Sequence, residues 1–178
     1  MKKFRLLVSL MMLVVSFAVF SGCGAEETYS GAYSKVNFSQ FSTRDLNGNE
    51  VTQEIFAGKK LTVINVWGTF CPPCIGEMPA LGKLSRDYAD RDTQVIGLVI
   101  DISGENDKAH IDYARKVVTE ANADFVNIYP DQNLRNALKE VDAVPTTFFV
   151  DSQGKLVGVP VIGADVEQYR EFMENYLK

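Results

Sequence analysis

Histidine and cysteine are both scarce in this sequence, with one His and three Cys in 178 residues. A structural zinc site takes four ligands, as a rule Cys or His, and beyond residue 35 the chain offers only Cys71, Cys74 and His110. A zinc-held fold is therefore set aside. The haem-attachment sequence C-x-x-C-H is absent, which excludes haem bound covalently through that motif. Basic residues are the minority, 18 Lys and Arg against 23 Asp and Glu for a net charge of −5, which argues against a nucleic-acid partner. Internal repeats are missing. Long apolar runs are missing as well, with one exception at the amino terminus.

Residues 1–22 begin with Lys2, Lys3 and Arg5, continue through an apolar run from Leu6 to Phe20 and end in small residues. This is the layout of a secretory signal, and the run is shorter than the roughly 20 residues that carry a helix across about 30 Å of hydrocarbon. Phe20-Ser21-Gly22-Cys23 resembles a bacterial lipobox, with Phe where that motif usually has Leu. The resemblance implies that Cys23 is lipidated and begins the mature chain; the alternative is an ordinary signal peptide, with Cys23 removed or left as an odd thiol. Acyl chains contribute about 0.8 kcal/mol per buried CH₂, and several together hold a protein at a membrane. Residues 23–35 read as the lipidated Cys and a flexible tether, and residues 36–178 as a single domain long enough for its own core. Losing Lys2, Lys3 and Arg5 leaves 15 basic against 23 acidic residues, a net charge of −8. No polybasic patch would assist attachment, so the anchor would be the lipid.

Within the domain, LTVINVW (61–67) and TQVIGLVID (93–101) are short apolar runs of the kind that form strands buried on both faces. Helical spacing covers about 72–88, about 105–121, where Ala109, Tyr113, Ala114, Val117 and Val118 share an arc that also takes in His110, and about 133–139. Strands alternating with helices imply a parallel sheet with crossovers. PTTFFVDSQGKLVGVPV reads as an antiparallel hairpin turning at Asp151-Ser152-Gln153-Gly154. Residues 164–177 read as a closing helix capped by Asp165, with Val166, Tyr169, Phe172, Met173 and Tyr176 assigned to core packing.

The stretch WGTFCPPCIGEMP (67–79) holds the remaining cysteine pair. Two such cysteines can exchange electrons, bind a metal or staple a fold. GKKLTVINVWGTFCPPCIGEMPAL and VPTTFFVDSQGKLVG, occurring in this order with strand and helix between them, resemble the TlpA/ResA group of extracytoplasmic thioredoxin-like proteins from about residue 38 to the end. The resemblance implies an α/β, thioredoxin-like fold, a central mixed β-sheet flanked by helices, with an N-terminal β extension and a helical insert. It implies a thiol-disulfide oxidoreductase with no cofactor beyond a redox-active Cys71–Cys74 disulfide, lipid-anchored to the bacterial cell membrane and monomeric. Members of the group more often reduce than oxidise. The implied partners are an exported protein carrying a disulfide, such as an apocytochrome c or methionine sulfoxide reductase, and an integral-membrane thiol electron donor of the CcdA/DsbD type.

The cysteines carry their own argument. A C-x-x-C pair just after a buried strand puts Cys71 at a helix amino terminus, where unpaired N–H groups and the dipole favour negative charge. A thiol pKa lowered from about 8.5 to about 7 raises the attacking thiolate at neutral pH from roughly 3% to about half. Cys74, inside the first turn, is suited to resolve the mixed disulfide. Pro72 and Pro73 fit the first helical positions but bring no N–H to the sulfur, which leaves the Cys74 N–H to carry more of the stabilisation. Glu77 stands one turn beyond Cys74 and can approach the pair from within the helix. In the group resembled, a glutamate here handles the second cysteine's proton, and the position that bears a buried Asp in many thioredoxins is Asn65, which cannot titrate. An exposed glutamate that merely suits the helix dipole is the plain alternative. The resemblance also gives Pro145 as a cis-proline against Cys71, leaving the Val144 backbone to pair with a substrate strand. Trp67 and Phe70 flank the loop and are read as packing, with Phe70 also facing partners; with Pro72, Pro73, Val144 and Pro145 they complete the expected substrate surface. Pro79 has a structural role, a kink in the helix.

Other functions fit less well. Copper carriers of the SCO type share the fold, but have three residues between their cysteines and a histidine close by; His110 reads instead as packed or at a helix edge. A peroxidase of the peroxiredoxin type would have Thr or Ser where Gly68 stands. A purely structural disulfide leaves the helix-start position unexplained. An oxidase that donates its disulfide to secreted clients would use the same residues as the reductase.

Overall fold

The computed structural model describes residue 31 and residues 33–178; the expected signal segment, Cys23 and most of the tether lie outside the described residues. The N-terminal β extension is an antiparallel pair, β1 (Ser42–Arg44) and β2 (Glu50–Thr52). The main sheet contains β3 (Leu61–Trp67), β4 (Thr93–Val99), β5 (Val126–Ile128), β6 (Thr146–Val150) and β7 (Val161–Ile162), in the spatial order β5-β4-β3-β6-β7. Strands β3, β4 and β5 run parallel, whereas β6 is antiparallel to β3 and β7 to β6. Helix α1 (Pro72–Asp87) joins β3 to β4, α2 (Lys108–Glu120) joins β4 to β5, α3 (Gln132–Ala137) precedes β6, and α4 (Val166–Tyr176) closes the fold. This is the thioredoxin-like mixed sheet expected, with α2 and β5 as the material between its halves.

Every residue of β3 is buried, and pleating sends alternate side chains to opposite faces. Leu61, Val63 and Trp67 enter a core with Met78 and Leu81 of α1, Ala114 of α2 and Met173 of α4. Ile64 and Val66 enter a second core with Ile96, Phe148, Leu134 of α3 and the N-terminal Phe38 and Phe56. A strand covered on both faces must be apolar at successive positions, which is why the run is nearly unbroken. Gly97 of β4 shows how closely the first core is fitted. A Cβ there would stand 1.8 Å from Asn127 Oδ1 and 2.9 Å from Trp67 Nε1, and the Trp67 indole N–H donates to that same Asn127 oxygen at 3.0 Å.

Several expectations need correction. The second helix starts at Lys108, because Asp107 turns back to accept from the Ser103 N–H and hydroxyl, both at 2.9 Å. Its buried arc is Ile111, Ala114 and Val117. Ala109 and Tyr113 face solvent, since two residues along a helix are about 200° apart and both stand two from Ile111. His110 is outside the arc too: half exposed, its Nδ1 lies 2.8 Å from Asp107 Oδ1. The predicted hairpin keeps its turn, with the Gly154 N–H donating to the Asp151 carbonyl at 3.1 Å, but the return strand is broken. A single bridge joins Val150 to Leu156, and regular pairing resumes only where β7 meets Thr146 and Thr147. Between them Gly158 adopts φ +75° over the Phe172 ring and Pro160 has no N–H to give the ladder. The cap expected at Asp165 is present, accepting from the Gln168 N–H at 3.0 Å.

Candidate active site

The end of β3 fixes where the cysteines sit. After Trp67 the chain turns through Gly68, Thr69 and Phe70, and Asp101, just past β4, clamps this loop. Its carboxylate accepts from the Thr69 N–H at 3.0 and 3.1 Å and from the Thr69 hydroxyl at 2.5 Å. Cys71 then takes the cap position of α1 in an extended conformation, and its sulfur accepts from the Cys74 N–H at 3.3 Å. Pro72 and Pro73 fill the first two helical positions, where a missing N–H leaves no bond unmade. The Cys74 N–H is thus the donor that reaches the Cys71 sulfur. The two cysteines form a disulfide with a Cα–Cα separation of 5.3 Å, and both are buried.

Across from the pair, the Val144–Pro145 bond is cis, as expected. Cys71 Sγ lies 3.5 Å from the Val144 carbonyl oxygen. The Pro145 carbonyl is taken by the Gly163 N–H at 2.8 Å, at the end of β7, and the Thr146 hydroxyl donates to the Ala143 carbonyl at 2.8 Å. Of the expected substrate surface, Phe70 is 64% exposed and Pro72 and Pro73 are exposed, whereas Val144 is half-buried and Pro145 buried. Trp67 has no accessible surface. Its place in the substrate surface is therefore corrected: the indole fills the core beside Gly97 and supports the loop from below.

Glu77 lies on the inner side of α1 and is only 6% exposed, which removes the alternative of an exposed dipole-matching glutamate. One oxygen accepts from Asn65 Nδ2 at 2.8 Å and the other lies 3.1 Å from the Tyr169 hydroxyl. Burial drives its pKa up to about 7, and these two hydrogen bonds offset only part of that rise. Asn65 Nδ2 also donates to the Thr147 hydroxyl at 3.0 Å, while its Oδ1 has no hydrogen-bond partner among the described residues. A carboxyl with a pKa near neutrality, one turn from a resolving cysteine, is matched to accept a thiol proton at physiological pH.

Three contributors escape the sequence reading. Asp101 and Thr69 stand 32 residues apart and bear no local motif. Tyr169 falls on the apolar face of α4, so its spacing speaks for packing alone; the available signal was chemical, since a buried tyrosine hydroxyl usually requires a hydrogen-bond partner. His110 is not brought to the cysteines' cap by any contact; it pairs with Asp107. Among the described residues no group of three or more His, Cys, Asp and Glu is arranged to hold a metal ion.

With a disulfide in this position on this sheet, the class is that of thioredoxin-fold oxidoreductases. Solved structures agree on the fold. A thioredoxin-family thiol:disulfide interchange protein from Chlorobium tepidum superposes with a TM-score of 0.66 at 17% identity, covering 80% of this chain and 97% of that one. StoA from Bacillus subtilis gives 0.58 at 18%, covering 78% and 98%. Among named relatives, the thiol-disulfide oxidoreductase ResA of Bacillus anthracis is 31% identical over 186 residues, covering 100% of this chain and 98% of that protein. The thioredoxin-like protein YneN of Bacillus subtilis is 29% identical over 158 residues, covering 84% and 86%. Residues 34–171 match the Redoxin family. The chain belongs to that family and, within it, to the ResA/TlpA group, and it is a thiol-disulfide oxidoreductase.

Proposed function

We propose that this oxidoreductase works as a membrane-anchored extracytoplasmic reductase of disulfides in exported proteins. Cys71 attacks as the thiolate on a substrate disulfide, joining one substrate sulfur and releasing the other as a thiolate, which takes its proton from water. The Cys74 thiol passes its proton to Glu77, and the resulting thiolate attacks Cys71 Sγ. The second substrate sulfur then leaves with two electrons gained in all, and the Cys71–Cys74 disulfide remains. Val144 and Pro145, with Phe70, Pro72 and Pro73 around them, form the surface on which the substrate strand lies. An integral-membrane thiol donor of the CcdA/DsbD type would restore the dithiol. The exported client would be an apocytochrome c, a methionine sulfoxide reductase or a protein of like kind. The acylated Cys23, outside the described residues, would hold the monomeric domain at the membrane through residues 23–35. No helix among the described residues is long and apolar enough to cross a membrane.

The observation that carries this reading is the buried Glu77 carboxyl, with its pKa near 7, on the same helix as the pair. A base buried there has no purpose in a structural disulfide. The direction of electron flow is tested by the equilibrium reduction potential of the Cys71–Cys74 pair against glutathione or dithiothreitol mixtures. A value near thioredoxin's, about −270 mV, is expected; a value near about −120 mV would make the protein an oxidant that donates its disulfide.

A further inference from the structure

The α4 residue Tyr169 has no accessible surface, yet its hydroxyl meets four polar groups. The Glu77 carboxyl lies 3.1 Å away, the Gly163 carbonyl 2.8 Å away, the Asp165 N–H approaches to 3.4 Å, and the Thr147 hydroxyl is the fourth partner. A hydroxyl has one proton and two lone pairs. The Thr147 hydroxyl fills one lone pair and the long Asp165 N–H contact the other, but the single proton cannot serve both Glu77 and Gly163. Which of them receives it depends on whether Glu77 needs a donor. An ionised Glu77 can only accept, so it draws the Tyr169 proton. A protonated Glu77 can donate its own proton to the lone pair that Asp165 holds at only 3.4 Å, which releases the Tyr169 proton to Gly163.

We propose that Tyr169 is a positioning residue for the proton-transfer step, directing its hydroxyl proton to Glu77 when that carboxyl is ionised and to the Gly163 carbonyl when it is protonated. No proton leaves Tyr169 in this exchange; only its direction changes. The link continues outward, because the Gly163 N–H is bonded to the Pro145 carbonyl at 2.8 Å, on the cis-proline turn that faces Cys71. The proton state of Glu77 is thereby felt at the loop against which a substrate strand lies. The inference rests on the reading of Glu77 as the base for Cys74.

The surroundings leave Tyr169 as the natural controller. Strand β3 supplies Asn65, which bonds Glu77 and Thr147 of β6, and α1 itself carries Cys74 and, at its cap, Cys71. Among the described residues, Tyr169 is the ionisable side chain that hydrogen-bonds Glu77, and burial rather than a charged neighbour raises the carboxyl's pKa. The Tyr169 hydroxyl is itself held neutral far above neutrality, chiefly by burial, so it titrates in none of the relevant range.

The test is an NMR titration of the full chain in detergent, in the oxidised form, following the Glu77 side-chain carboxyl carbon and the Ala164 amide nitrogen, whose peptide carbonyl is that of Gly163. In the unsubstituted protein both signals are expected to titrate with one midpoint near that of Glu77. In Tyr169→Phe the Glu77 midpoint should rise by about one pH unit, the loss of one hydrogen bond to a charged group, and the Ala164 response should vanish. An Ala164 signal that stays flat through the Glu77 titration of the unsubstituted protein overturns the proposal even if Tyr169→Phe fails to fold. So does a Glu77 midpoint that is unchanged or lower in Tyr169→Phe. The parent reading fails separately: if Glu77→Gln leaves the pH profile of the resolving step unchanged, Glu77 is not the base, whatever the titration of Tyr169's neighbours.

Discussion

At the scale of single residues the chemistry rests on two sulfurs and one carboxyl held in different environments. Cys71 caps its helix and accepts an N–H, so its thiolate is the stabilised one, while Cys74 lies deeper, with no accessible surface. Cys71→Ser is expected to abolish reduction of a model disulfide, and Cys74→Ser to accumulate mixed disulfides visible by mass spectrometry under non-reducing conditions. Turnover by Cys71→Ser would refute the order of attack. Glu77 makes two predictions at once. Glu77→Gln should slow the resolving step near neutral pH and flatten its pH dependence, as followed by stopped-flow mixing. Its stability effect has a definite sign. The folded state holds the Glu77 proton up to about pH 7, whereas the unfolded chain releases it around 4.5. Stabilisation of the folded form is therefore full below about pH 4.5 and is lost as the pH rises to about 7, a difference of about 3 kcal/mol. Denaturant titrations at pH 5 and pH 8 should show most of that loss in the unsubstituted protein and not in Glu77→Gln.

At the scale of elements, the site is a junction of three chain ends brought together by the sheet. The loop after β3 is clamped by Asp101 after β4, and the cis-proline turn before β6 is tied to the end of β7 by the Gly163 N–H. The helix start thus has a fixed position on both sides, and Phe70, Pro72 and Pro73 are left at the surface. Beneath the loop, Gly97 admits the Trp67–Asn127 hydrogen bond between β3 and β5. Gly97→Ala places a methyl 1.8 Å from the Asn127 oxygen. The expected result is a loss of about 1–3 kcal/mol from overpacking, with an altered emission from Trp67, the single tryptophan. Unchanged emission and stability would mean that the strands separate without strain.

At the scale of the whole molecule, a core on each face of the sheet holds the fold together. One core joins α1, α2 and α4 to β3, and the other joins α3 and the N-terminal aromatic residues to its opposite face. Edge-to-face rings at Phe38–Phe148 and Phe41–Phe56, with centroids 5.5 and 5.9 Å apart, fasten the N-terminal extension far from the cysteines. The acidic surface adds nothing to membrane attachment, so lipidation at Cys23 carries the whole of that prediction. Cys23→Ala is expected to release the protein from the membrane fraction; retention would point to an uncleaved hydrophobic anchor instead.

What the sequence determined by itself was everything written in neighbouring residues. The two-sided strands are visible as apolar runs, the helix start as Cys71-Pro72-Pro73, the closing helix as a cap at Asp165 with apolar residues at helical spacing, and Glu77 as a carboxyl one turn past Cys74. In α2 a loose helical spacing admits Ala109 and Tyr113, whereas burial selects Ile111, the larger aliphatic side chain. The return strand breaks because Gly158 and Pro160 act on a ladder whose partner lies elsewhere in the chain. Only the tertiary structure could decide that the Trp67 indole meets Asn127, that His110 pairs with Asp107, and that Tyr169 reaches Glu77 from 92 residues away. Periodicity reports which face of an element is buried, but not which polar atom on that face meets another. That second question is settled when the sheet sets the distance between helices, and here it decides the environment of the one buried carboxyl beside the disulfide.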